Sequence, residues 1–408
     1  MKMQIKRMIK KINALKIFDT LKMGVEEVDI VFLSSDADKG LEIGGLFYAQ
    51  IIDPLMDYCR REKIKYICIS IPFSSLRKSS TYSKSHTINW AYLLMRRRVW
   101  KWIFEKKIKT KIIAGVGLTT DLNIVATNNN ITTYELMHGF GLGKNDYIWG
   151  SESRKYKKEI LPNTFIAYDR QTYETLSNIL KDRSSHVKLA RHHFYDRDEY
   201  SDLKTIEDLE IRFSKKELQN GKLSILITLQ HGYDGSVDEL RNILNNGLIH
   251  DELINCVKSH CDINWIIKLH PVQLRSDKYG WIRDRLEIIF NGRQNVFIDE
   301  YSNCDTYAIL HFVNGHITMS SGTVVEAAML GVPSLGLCPT LRNGGIMSDA
   351  FIYEEIHDLF ERGSLNSDCI NSYISKLIKF KDEGKVVPRM YSKDMPSAAA
   401  LMLKRILD

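Results

Sequence analysis

Proline is scarce, with 8 in 408 residues, and no long polar tract interrupts the chain, which excludes disorder as the dominant state. Cysteine is sparse and odd in number. The seven, at 59, 68, 256, 261, 304, 338 and 369, form no Cys-x-x-Cys pair, and several sit in apolar runs where a thiol simply packs, so the expected environment is a reducing cytoplasm. No stretch reaches the ~18 consecutive apolar residues of a membrane span. The charged N-terminus also lacks the apolar core of a signal peptide, so neither export by that route nor an integral membrane protein is expected. Acidic residues are in slight deficit, 50 Asp and Glu against 57 Lys and Arg, and the surplus is uneven. Residues 1–22 hold seven basic groups against Asp19 alone, and residues 96–111 hold eight against Glu105. The remainder must be net negative, which argues against uniform nucleic-acid binding; no nucleic-acid partner is expected.

What is present is a globular composition, 44% hydrophobic, long enough for two domains at roughly 100–200 residues each. At the helical angle of 100° per residue, Ile5, Met8, Ile9, Ile12 and Leu15 fall in one apolar sector, with Lys2, Lys6, Arg7, Lys10 and Lys11 outside it. A cationic face beside an apolar one fits a helix lying in the interface of an anionic membrane. A helix docked on its own protein, with its lysines in water, has the same pattern. Trp100, Trp102 and Phe104, interleaved among basic residues, favour the membrane reading, because such aromatics prefer the headgroup level.

Along the chain, short apolar runs alternate with helical stretches. In the first half, strands are expected at 28–35, 65–71, 110–117 and 163–169, with helices at about 46–62 and 88–107 and a loop ending at 132–141. Residues 171–221 are charged and helix-prone, and are expected to form a connector. The alternation restarts with strands at 222–230, 264–271 and 295–299, a helical stretch at 237–258, and a strand, turn, helix and strand over 315–337. The predicted fold is α/β, with two Rossmann-like doubly wound domains facing a cleft. The expected boundaries are a basic helix at 1–22, a first Rossmann-like domain at 23–170, the connector at 171–221, a second Rossmann-like domain at 222–385, and a C-terminal helix at 386–408 packing back on the body.

The most informative segment is 317–337. Strand residues run into Ser320, Ser321, Gly322 and Thr323, then into a helix carrying Glu326. Unpaired amides at a helix start favour an anion such as a phosphate, and Glu326 is placed to accept hydrogen bonds from a ribose. An N-capped core helix with Glu326 closing a capping box is the alternative. A second strand, IIKLHP, delivers Lys268 and His270 to its C-terminal end, the edge at which doubly wound sheets bind ligands. These two groups would meet the charge of a phosphate leaving group, or else are a solvated lysine and a surface histidine. Thr228, Gln230 and His231 end the preceding strand at the same edge. In the first half, Glu135 and His138 precede a Gly-rich turn, and Asp36 and Asp38 lie in a loop. Glu135, His138 or Asp36 facing the cleft is a candidate general base; Glu135 paired with a lysine and Asp36 capping a helix are the blander uses. No metal is assigned to these carboxylates or to Asp196 and Asp198.

KLHP followed about 50 residues later by SSGTVVEAAMLGVPSLG, together with ELMHGFG in the first half, resembles the GT-B glycosyltransferases of bacterial surface-polysaccharide synthesis. The similarity is strongest to the group using CMP-activated sugars, the polysialyltransferases and Kdo transferases with their HP and SS motifs. The resemblance implies that His270, Ser320 and Ser321 contact the nucleotide phosphate, with Glu135 and His138 the nearest equivalent of that group's acidic catalytic motif. The SSGT, EA and GxP features are shared by GT-B enzymes using UDP sugars and by glycerophosphotransferases. The expectation is a cytoplasmic glycosyltransferase, peripheral on the inner membrane face, moving a sugar from a CMP-linked donor to a capsule or lipopolysaccharide-type glycan or glycolipid, with no cofactor and no metal. The alternatives are a CDP-glycerol-type glycerophosphotransferase and a non-catalytic scaffold of a polysaccharide assembly complex.

Overall fold

The computed structural model describes residues 25–35, 41–43, 46–71, 86–87, 97–143, 161–182, 185–200, 221–233, 240–244, 247–275, 279–298, 301–302, 304–353, 356, 358–383 and 395–407. The basic segment 1–22, Asp36 and Asp38 lie outside the described residues.

The first half builds a parallel sheet of seven strands: β1 (Ile30–Ser35), β2 (Tyr66–Ile71), β3 (His86–Thr87), β4 (Ile112–Gly115), β5 (Thr132–Leu136), β6 (Thr164–Ala167) and β7 (His186–Leu189). Their spatial order is β7-β6-β5-β4-β1-β2-β3. The second half builds a parallel sheet of six: β8 (Leu223–Thr228), β9 (Ile263–Lys268), β10 (Val296–Ile298), β11 (Gly315–Thr318), β12 (Ser334–Gly336) and β13 (Phe360–Arg362). Here the order is β10-β9-β8-β11-β12-β13. Both orders reverse direction beside the first strand, as in doubly wound domains.

The continuous apolar runs arise because each central strand is buried on both faces. Ile30 and Phe32 of β1 pack with Ile52, Leu55 and Met56 on one side, while Val31 and Leu33 pack with Trp100, Ile103 and Phe104 on the other. The second sheet divides in the same way. Ile225, Ile227 and Ile267 face one core, and Leu226 and Ile266 the other. The final helix, Ala398–Leu407, returns to the first domain, where Ala398, Ala399, Met402 and Leu403 join the core beneath β1.

Several expectations need correction. The segment 132–136 is no loop: it is β5, paired with both β4 and β6, so Glu135 sits in a central strand. Residues 171–221 are more than a connector. Helix Arg170–Leu180, strand β7 and helix His193–Tyr200 complete the first domain, and residues 164–167 are therefore not its last strand. The helix expected from residue 46 begins at Ile52, because Leu46–Tyr48 pairs antiparallel with Leu41–Ile43. In the second half, the described helix within 237–258 is Asp251–Ser259. Trp100 and Phe104, read as headgroup aromatics, are 0% and 5% exposed and fill the core under helix Arg97–Lys106; only Trp102 reaches its half-buried rim.

Since Trp100 is enclosed by the first domain's core, Trp100→Ala should destabilise that domain by about 3–5 kcal/mol. Urea unfolding of the variant measures this, and a loss below about 1 kcal/mol would contradict the packing described.

Candidate functional site

A cavity of about 430 Å³ lies between the domains, at the C-terminal ends of both sheets. Thr228, Gln230, Lys268, His270, Ser320, Ser321, Gly322, Thr323 and Glu326 all line it, as does His138. With His231, which lines it too, eleven of the thirteen residues singled out in the sequence lie in one place.

The reason is topological. Strands β8, β9 and β11 are adjacent and parallel, so the residues that follow them leave the sheet at one edge. Gln230 links the two segments after β8 and β11: its Oε1 accepts the Ser320 amide and, at 3.4 Å, the Ser320 hydroxyl. Ser321 Oγ lies 3.0 Å from Thr323 Oγ1 and accepts the Thr323 amide at 3.3 Å. Gly322 occupies the cap position of helix Thr323–Met329 without a side-chain cap bond. The turn thus uses the amides of Ser320 and Thr323 internally, while those of Ser321 and Gly322 meet no acceptor among the described residues. His270 is fixed by its own loop: its Nδ1 accepts the Val272 amide at 3.2 Å and its amide donates to Gln273. His231 Nε2 is 2.9 Å from the Tyr279 hydroxyl, and its ring is 6.1 Å from that of His270.

Two of the residues lining the cavity have structural duties that the sequence did not announce, and a third has an altered charge state. Lys268 Nζ donates to the carbonyls of Ser302 and Cys304 at 2.7 and 2.8 Å, so its charge braces the loop before Asp305. Thr228 Oγ1 is 2.8 Å from Nε2 of the buried His316, whose Nδ1 meets Ser334 at 2.9 Å. Glu326 is 7% exposed, and its carboxyl is pushed up to about 8 by burial and then by the Asp305 charge, against the pull of Lys268, Thr323 and Arg197. At neutral pH it is an uncharged acid that can donate as well as accept.

Of the two candidates that do not line the cavity, Asp36 lies outside the described residues, and Glu135 is accounted for. Glu135 is 0% exposed, and its two oxygens accept the amides of Gly117 and Leu118 at 2.6 and 2.8 Å. It holds the turn after β4 and does not face the cleft. His138, two residues beyond β5, is exposed and faces the second domain.

Residues that sequence reasoning passed over close the seam. Asp305 of the second domain is paired with Arg197 and accepts from Gln50 at 3.2 Å, both from the first domain. Arg197 and Asp305 are 1% and 2% exposed. Gln171 donates to the carbonyls of Asp349 and Gly141 at 2.7 and 3.1 Å and accepts the Ile352 amide at 2.9 Å. Phe140 stacks on His193 and touches the Gly322 turn, where an added Cβ would meet its ring at 3.3 Å. Gly141 is left-handed, with φ +65°, and a Cβ there would overlap the Phe351 ring. Only the Gly-rich composition of 139–143 hinted at this close approach. Among the described residues no group of three His, Cys, Asp or Glu is arranged to hold a metal ion.

No family model matches the chain, and no curated protein matches it. Solved structures do. A putative UDP-N-acetylglucosamine 2-epimerase from Listeria monocytogenes is 12% identical, with a TM-score of 0.58 over 94% of this chain and 95% of that one. The UDP-GlcNAc 2-epimerase of Methanocaldococcus jannaschii, in complex with UDP-GlcNAc and UDP, is 14% identical, with a TM-score of 0.59 over 94% and 99%. The wall teichoic acid polymerase TagF is 15% identical, with a TM-score of 0.56 over 99% and 93%. At such identities the likeness establishes the fold: two Rossmann-like domains in the GT-B arrangement. It does not single out the CMP-sugar group within that fold.

Because the Glu326 carboxyl holds its proton up to about pH 8 in the folded chain but only to about 4.5 in the unfolded one, the folded state binds more protons across that window. Stability therefore falls as pH rises through it. Glu326→Gln should gain stability over wild type between pH 6 and pH 9, read from thermal unfolding at the two pH values; a difference independent of pH would contradict the assignment.

Proposed function

We propose that the chain is a transferase for a nucleotide-activated donor, with the nucleotide in the second domain and acceptor activation by His138 of the first. The observation that carries this reading is the convergence of His138, His270, Glu326 and the 320–323 turn on one cavity. The nucleotide phosphate would sit against the Ser321 and Gly322 amides with the Ser321 and Thr323 hydroxyls, and His270 would face it from β9. Glu326, uncharged and buried, suits a ribose hydroxyl better than a phosphate. His138 takes the base role because it is exposed to the cavity, whereas both Glu135 oxygens are committed to backbone amides.

The donor reading rests on charge. The described lining contains a single ammonium, Lys268, already bonded to two carbonyls, and no guanidinium. Sparse positive charge suits a leaving group with one phosphate, which favours a CMP-linked sugar. In that reaction His138 removes the acceptor proton, the acceptor oxygen bonds to the anomeric carbon, and the bond from that carbon to the phosphate oxygen breaks, releasing CMP. The product is a surface glycan of the capsule or lipopolysaccharide type. The second reading, favoured by the likeness to TagF over nearly the whole chain, is a glycerophosphotransferase using CDP-glycerol. There the acceptor attacks the phosphorus bearing glycerol, and CMP again leaves. The two readings share a leaving group and differ in the atom attacked.

His138→Asn should lower turnover by about 10²–10⁴-fold while leaving nucleotide affinity within twofold, as loss of a general base would. His270→Ala with Ser321→Ala should instead abolish nucleotide-induced thermal stabilisation. CMP release with a glycosidic product supports the first reading, and CMP release with a phosphodiester supports the second. No donor-dependent nucleotide release would point to a scaffold, and wild-type turnover in His138→Asn would remove the base from this position.

A further inference from the structure

Helix Trp281–Ile289 packs on the second domain's core through Ile282 and Leu286, both buried, yet it leaves two large apolar side chains in water. Trp281 is 43% exposed, and Ile288, at 70%, is the most exposed large apolar side chain among the described residues. They stand two helical turns apart and so share one flank. Asp284 and Arg285 lie between them on that flank. Both are exposed, and neither has an ion-pair partner among the described residues. The other outward flank carries Arg283 and Glu287 and nothing apolar.

Along this flank the stripe reads Trp281, Asp284, Arg285, Ile288. Reversed, it reads as its own complement. A second copy of the helix, laid antiparallel about a two-fold axis between 284 and 285, sets Trp281 against Ile288 and Asp284 against Arg285, and symmetry makes each contact twice. Antiparallel helices crossing at a shallow angle bring ridges of this spacing together. A parallel copy in register would instead set Asp284 beside Asp284 and Arg285 beside Arg285, where like charges repel. One flank of a short helix buries less than the ~1,200 Å² of a stable interface, so the association is weak and depends on concentration.

We propose that helix Trp281–Ile289 is a self-association surface, pairing antiparallel with the same helix of a second copy of this chain. The two ion pairs fix direction and register, and the Trp281 and Ile288 contacts supply the apolar burial, with tryptophan the anchor. The helix begins two residues after Tyr279, whose hydroxyl is 2.9 Å from His231 Nε2 at the cavity. None of the four stripe residues lines that cavity. The inference is therefore independent of the proposed reaction.

The test is analytical ultracentrifugation of the full chain over about a hundredfold range of concentration. Wild type should shift from monomer to dimer as concentration rises. Asp284→Arg alone, or Arg285→Asp alone, should remove the dimer, because each sets like charges opposite one another twice. A mixture of these two variants should form it again, since every facing pair is then of opposite sign. One chain carrying both substitutions should also dimerise. Because these positions are exposed, thermal unfolding of each single variant should match wild type, and recovery of the dimer from the mixture shows both chains folded. The proposal is overturned if wild type is a monomer throughout, or if the dimer survives either charge reversal. It is overturned equally if neither the mixture nor the doubly substituted chain associates.

Discussion

Asp305 is the buried charge through which the two domains are tied, beside the neutral bonds of Gln171. Its carboxylate is buried between Arg197 and Gln50 of the opposite domain, and it also accepts the Tyr307 amide to start helix Thr306–Leu310. Removing one partner from a buried ion pair leaves the other charged and desolvated, at a cost of about 3–5 kcal/mol, so the seam is held in one arrangement. Lys268 braces the same loop from within the second domain. The Asp305 charge in turn helps keep the proton on Glu326. The buried ion pair of the seam and the electrostatics of the cavity floor thus share one carboxylate.

The cavity follows from that constraint. Each sheet alone would present its C-terminal edge to solvent, with Gly-rich loops and little to enclose a ligand. Brought together, the 138–143 loop lies against the 346–351 segment and the Gly322 turn; glycine is required at 141, where the Phe351 ring meets the backbone, and the approach of Phe140 to Gly322 is close. The lining is rich in hydroxyls, imidazoles and amides and poor in net charge. Such a site stabilises an anion by oriented dipoles, an arrangement that gains strength as water is excluded.

Much of this was legible in the sequence because parallel strands buried on both faces read as continuous apolar runs, and because residues ending adjacent parallel strands must converge. Thr228, Lys268 and Ser320 needed only that argument. The failures have equally physical causes. Glu135 resembled a cleft carboxylate because its strand, TTYEL, carries few aliphatic side chains and did not stand out from a loop. Trp100 and Trp102 alternate with charges, and only the orientation of the helix separates the core residue from the rim residue. Arg197 lies in a charged run, RDEY, that gives no sign of burial; its partner is 108 residues away and belongs to another domain. Cross-domain pairs of this kind leave no periodicity to read.

The central claim is that one ligand is held jointly by the 320–326 turn and the 138–143 loop. Amide hydrogen exchange on the full chain, with and without saturating CMP, addresses it directly. Slowed exchange at Ser321 and Gly322 together with slowed exchange at 139–143 is the result this account predicts. Protection confined to the second domain, or protection of neither segment while CMP binds elsewhere, would contradict it.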